Sequence, residues 1–169
     1  MTLDAQIGSK SVDEVLDAVL RWELPDPEAE ASWEWESNSR TGAAITSGIR
    51  PRWLNFQMGT LRWNEEIRSY RDELEIRFVL TDGDFSNFSG KWKLRQESDG
   101  VALRFEAEFD FGVLSMAGFL DPIAIEAIRD TIGRAISGMF PDAILCGGVT
   151  ELTDSVSPVV SRDEYCEIG

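Results

Sequence analysis

The residue best suited to chemistry in this chain is a carboxylate standing in an apolar row. A strand is predicted over Leu61–Ser69, where period two sets Leu61, Trp63, Glu65 and Ile67 on one face and Arg62, Asn64, Glu66 and Arg68 on the other. Burial disfavours the charged form of a carboxyl group and raises its pKa. That suits a general acid or base near neutral pH. Two plainer readings stand beside it: a bulge or strand end that turns Glu65 to solvent, or an ion pair with a nearby arginine. Tyr70, the one phenol in the part expected to fold, has a proton to give, but it lies on the outward phase at the strand's end.

Other chemistries are excluded by a zero. The chain has no His, so a Ser/His/Asp triad, a Cys/His dyad, a His-ligated metal and an imidazole base cannot be built within it. Cys146 and Cys166 lie twenty apart without a Cys-x-x-Cys spacing, too few for a zinc site or a disulfide scaffold; free thiols in a reducing cytoplasm are the expectation. No metal and no cofactor is called for. Trp33, Trp35, Trp63 and Trp92 fall on faces predicted to look inward, as do Phe105 and Phe109. Rings of this size supply flat apolar walls for an aromatic ligand, and equally they are plain core, because six Trp in one domain must largely be buried. The acids Glu34, Glu36, Glu106, Glu108 and Asp110 read as solvated strand faces.

These residues need elements to hold them. Ser11-Val12-Asp13-Glu14 carries a capping-box pattern and opens an apolar series at Val12, Val15, Leu16, Val19 and Leu20, a short helix ended by Pro25 and Pro27. Ala31, Trp33 and Trp35 alternate with Ser32, Glu34 and Glu36 as a half-buried strand. The stretch Ser37–Arg52 holds a further short strand or only a connection. Strands then come at hairpin spacing: Trp53–Met58, Leu61–Ser69, Leu74–Leu80, Phe88–Arg95 and Val101–Phe111. In the first of these, Leu54, Phe56 and Met58 oppose Asn55 and Gln57, and the inner face is open. Asp121-Pro122 reads as a cap and first-turn proline for a helix with Ile125, Ile128, Ile132, Ile136 and Met139 on one side, stopped at Phe140-Pro141.

The 169 residues fit one domain, and 43% hydrophobic residues suffice for a core. Residues 1–140 are expected to form it; residues 141–169, with six acids and one base, read as an acidic, flexible tail. A net charge of −15 repels phosphate backbones and anionic lipid, so neither nucleic acid nor membrane is an expected partner. With no signal-peptide pattern and no apolar run of membrane length, the expectation is a soluble cytoplasmic protein. The architecture is α+β: a curved antiparallel sheet wrapped around a long C-terminal helix, with room for a pocket between them.

Thr60-Leu61-Arg62-Trp63, Gly83-Asp84-Phe85, Phe88-Ser89-Gly90-Lys91-Trp92-Lys93-Leu94 and Leu103–Phe111, followed by the closing helix, resemble the polyketide cyclase/aromatase and coenzyme-Q-binding branch of the START-like (SRPBCC) superfamily over about residues 8 to 140. The resemblance implies a helix-grip fold with a deep cavity for an aromatic or polyene ligand. In cyclase members that cavity folds a reactive poly-β-ketone for ring closure; in relatives nearer the coenzyme-Q binders it holds a lipid. Where cyclases tend to place a Ser or Thr and then an Arg after the strand's Trp, this chain reads Trp63-Asn64-Glu65-Glu66-Ile67. The expected function is therefore a cyclase, aromatase or dehydratase with a hydrophobic small-molecule substrate, Glu65 and Tyr70 as catalytic candidates, an acyl carrier protein as candidate partner and a homodimer as candidate assembly. A non-catalytic carrier of a quinone or lipid, with Glu65 paired and silent, is the alternative. An interaction module using the acidic tail is a weaker third.

Overall fold

The computed structural model describes residues 1–24, 45–56, 59–112 and 114–146, with only the backbone at 45, 46, 56 and 114–119. The strand expected around Trp33 and Trp35, and residues 147–169 of the expected tail, lie outside the described residues. The order of elements is β1 (Thr2–Gly8), α1 (Val12–Glu23), β2 (Ile45–Phe56), β3 (Gly59–Tyr70), β4 (Glu75–Gly83), β5 (Asn87–Glu97), β6 (Gly100–Asp110), α2 (Leu114–Met139) and β7 (Ile144–Cys146). The strands form one antiparallel sheet in the order β2-β3-β4-β5-β6-β1-β7.

The meander β2 to β6 follows from alternation and turn residues. Along β6 the buried Val101, Leu103, Phe105 and Ala107 alternate with Arg104, Glu106 and Glu108, so one face packs and the other is wet. α1 starts where its cap dictates: the Ser11 side chain accepts from the Glu14 N–H, and the Glu14 carboxylate accepts from the Ser11 N–H at 2.9 Å. Val15, Leu16 and Val19 of α1 are fully buried, as is Ile136 of α2, with Ile128 and Ile132 nearly so. Burying an Ile or Leu side chain contributes roughly 1.5–3 kcal/mol, so docking on the sheet holds these helices more than their own propensity does.

The structure adds one strand and corrects four expectations. The added strand is at the N-terminus, where Leu3, Ala5 and Ile7 alternate and are buried as β1 against β6. β2 is one strand from Ile45, taking in Arg50 and Arg52, where a short strand or a connection was expected; Leu54 is buried and Asn55 exposed, which settles its inner face. Pro122 lies inside α2, which begins at Leu114, so Asp121 is no cap. A proline forfeits one backbone donor, and this helix continues on both sides of it. The domain does not stop at residue 140, because Ile144–Cys146 pairs with β1. Cys146 is disulfide-bonded rather than free, which removes the free-thiol argument for a reducing compartment.

Candidate active site

Antiparallel register decides which β2 residues meet Glu65. Arg50 pairs with Glu65, Arg52 with Trp63 and Leu54 with Leu61, and directly opposed residues share a face. Both arginines therefore point inward beside a carboxylate on the neighbouring strand. The β3–β4 pairing slips between Asn64 and Glu65, leaving Thr81 as the extra residue, on β4. Thr81 Oγ1 donates to the Asn64 carbonyl at 3.1 Å. Because the additional residue is on the partner strand, Glu65 keeps its inward phase and is 1% exposed.

Glu65 is held from two sides. Arg52 Nε donates to Oε1 at 2.5 Å and the Trp63 indole Nε1 donates to Oε2 at 3.1 Å. The other edge of the same guanidinium, Nη2, bonds to the carboxylate of Glu23 at the end of α1. Glu23 is fully buried and also accepts from Trp92 Nε1 at 2.6 Å and from Arg50 Nη1 at 3.4 Å. Arg50 in turn donates to the Glu23 carbonyl at 2.9 Å. Both guanidinium groups sit over the Trp22 ring, at 5.0 and 4.7 Å from its centroid. Two buried acids and two half-buried bases thus form one cluster of zero formal charge.

Burial pushes the Glu65 carboxyl above the usual glutamate range; Arg52 pulls against this, the Glu23 charge adds to it, and the bonds from Arg52 and Trp63 oppose it. Burial lowers the pKa of Arg50. Arg52 moves the other way: its own burial is outweighed by Glu23 and Glu65, and its pKa rises. A carboxyl whose pKa burial raises, next to a fixed cation, is an arrangement that can move a proton and hold a developing oxyanion.

The cluster opens on a cavity of about 50 Å³ between the sheet and α2, walled by Arg52, Leu54, Trp63, Glu65, Phe78, Phe88, Phe105, Ile128, Thr131 and Ile132 among others. A second void of about 20 Å³ lies further along the same seam, at Leu61, Phe111, Leu120, Ile123 and Ala124. This is space for a few waters; a ring system needs several hundred Å³. Two wider hollows, of about 520 and 660 Å³, open to solvent on the outer face of the sheet and at its β2–β3–β4 end. Around the first, the charges are matched, along one strand for Arg68 with Glu66 and Arg77 with Glu75, with Glu73 just before β4 also on Arg77, and across strands for Lys91 with Glu75 and Glu106. Size favours these hollows and desolvated charge favours the inner cavity; chemistry follows the charge, because exposed pairs are screened by water.

Of the residues singled out from the sequence, Glu65, Trp63 and Phe105 meet at the cavity. Trp92 is buried behind it as the donor to Glu23, and Phe109 packs with Phe85, Phe88 and Phe111. Tyr70 is on the opposite face, under the Arg77 guanidinium at 4.4 Å and beside the outer hollow, so it does not join Glu65. Trp33 and Trp35 lie outside the described residues. Sequence reasoning misses Glu23, Arg50, Arg52 and Trp22. Glu23 carries a signal, standing four residues after Val19 on the buried phase of α1. The two arginines flank Pro51 in a stretch with turn punctuation, and only cross-strand register reveals their direction. Among the described residues no group of three or more Cys, Asp or Glu is placed to hold a metal ion, and no helix is long and apolar enough to cross a membrane.

A curved antiparallel sheet closed by a long helix, with a polar cluster at the seam, defines a helix-grip ligand-cavity fold. Residues 32–135 match the family model for polyketide cyclase / dehydrase and lipid transport, and the chain belongs to that family. Among solved structures it is similar to TTHA0849 from Thermus thermophilus, at a TM-score of 0.61 and 14% identity over 82% of this chain and 94% of that one. It is also similar to the Zhui aromatase/cyclase from Streptomyces sp. R1128, at a TM-score of 0.52 and 8% identity over 82% and 93% of the two chains. At such identities the likeness is one of fold. No curated protein matches the sequence.

Proposed function

We propose that the chain is a cyclase, aromatase or dehydratase that holds a polyketide-like or polycyclic precursor between the sheet and α2, with Glu65 as the proton-transfer group. The observation that carries this is the position of the Glu65 carboxylate: buried, on the wall of the apolar cavity, between Arg52 Nε and Trp63 Nε1. In the enolising step the carboxylate takes the proton from the carbon between two carbonyls, and the electron pair moves onto a carbonyl oxygen that Arg52 stabilises. The new carbon–carbon bond leaves an alkoxide, which takes that proton back from the carboxylic acid and becomes a hydroxyl; in the dehydration the carboxylate removes the second proton of the same carbon and delivers it to the hydroxyl, which leaves as water. The chain needs no cofactor for this; positioning supplies much of the rate. Family membership supports the reading, and an acyl carrier protein fits as the source of the precursor. Since the seam holds only about 50 Å³, α2 must lift from the sheet to admit such a ligand.

A second reading, a non-catalytic binding protein for a hydrophobic small molecule, is favoured by the ion pair that Glu65 already makes with Arg52. Glu65→Gln separates the two. With an enolisable poly-β-ketone mimic as substrate, the variant is expected to lose about 10²–10⁴-fold in turnover while its ligand affinity stays nearly unchanged. Full activity in the variant would overturn the catalytic role.

A further inference from the structure

Glu23 takes no part in the cavity wall, yet its side chain is fully buried among Arg50, Arg52 and Trp92. Desolvating a carboxylate is expensive, and an apolar residue on this phase of α1 would pack at lower cost. What Glu23 adds is a second claim on the Arg52 guanidinium: Nη2 faces Glu23 while Nε faces Glu65. A guanidinium is planar, with its donors in a fixed fork, so holding one edge fixes the orientation of the other. Glu23 is itself anchored by Trp92 Nε1 at 2.6 Å and by Arg50.

We propose that Glu23 is a positioning residue for Glu65: by holding one edge of Arg52 it limits how strongly that guanidinium binds the Glu65 carboxylate, and so leaves Glu65 able to exchange a proton. This rests on the reading of Glu65 as the proton-transfer group. Among the described residues, the charged neighbours of Glu65 are those of the cluster: Arg50 and Arg52 from β2 and Glu23 from α1, with the Trp63 indole from its own strand. α2 brings Ile128, Thr131 and Ile132 to the cavity, none of which titrates in this range. The charge of Glu23 works in the same direction as burial on the Glu65 carboxyl, and Arg52 works against both.

The test follows the Glu65 carboxyl directly, by NMR titration of chain labelled with ¹³C at the glutamate carboxyls, its signal assigned by its loss in Glu65→Gln. In Glu23→Gln, where Arg52 is free to turn wholly to Glu65 and one negative neighbour is gone, the Glu65 midpoint is expected to move to lower pH. In Trp92→Phe, which releases a Glu23 oxygen from the indole toward Arg52, it is expected to move to higher pH. A residue that only filled space would move neither. An unmoved midpoint in folded Glu23→Gln overturns the proposal. If that variant does not fold, an unmoved or lowered midpoint in Trp92→Phe does so instead. The cyclase reading fails separately, if Glu65→Gln keeps full turnover while these shifts are seen.

Discussion

An ionised carboxylate at Glu65 is surrounded by protein and answered by one guanidinium that it shares with Glu23. Because burial raises its pKa in the folded chain, the protonated form favours folding. The stability it contributes is fully present below the ordinary glutamate value of about 4.3 and is lost as pH rises through the raised folded value. Glu65→Gln is fixed in the neutral state, so its stability relative to the native chain is expected to increase from acid toward neutral pH in urea denaturation; a constant difference would contradict the burial account. Arg52→Met leaves Glu65 without its cation and is expected to cost roughly 3–5 kcal/mol at neutral pH and less in acid, where Glu65 is protonated. At this scale the sequence is half legible. Period two along β3 places Glu65 inward, but its partners arrive from β2 and α1, and which arginine meets which acid is a property of register.

The elements that carry the cluster are mostly readable, because capping and alternation are local. Ser11 and Glu14 mark the start of α1, and five of the seven strands come from hairpin spacing. β1 escapes notice because seven residues at a chain end offer a short pattern, although Leu3, Ala5 and Ile7 do alternate. Pro122 misleads because a proline one turn into a helix and one inside a longer helix look alike when the preceding residues carry no stop. One glycine supports the site through backbone geometry. Gly83 ends β4 at φ 142°, and a Cβ there would come within 2.4 Å of the Trp63 Cα. Gly83→Ala is expected to lower the melting temperature and to disturb the Trp63 indole, read by its fluorescence; Ser11→Ala, far from the cavity, is expected to cost about 1 kcal/mol and leave that fluorescence unchanged.

Over the whole molecule the missing histidine and the acid surplus separate in meaning. Among the described residues, Glu66, Glu75 and Glu106 on the outer strand faces, with Glu73 just before β4, pair with exposed or half-buried cations. The absence of His removes the imidazole base, and the carboxyl groups of Glu65 and Glu23 meet through Arg52 at the helix–sheet seam. Helix on sheet is legible from the Ile stripe of α2, but the place of β1 between β6 and β7 is not, since it depends on pairings about a hundred residues apart such as Thr2 with Glu106. The central claim is that ligand enters this inner seam and not the wider outer hollows. Hydrogen–deuterium exchange of the native chain with and without a hydroxylated tricyclic aromatic tests it most directly. Altered exchange is predicted in α2 over Ala124–Ile136 and in β3 over Trp63–Ile67; change confined to the outer hollow around Arg77 and Lys91, or no change with ligand bound, would contradict it.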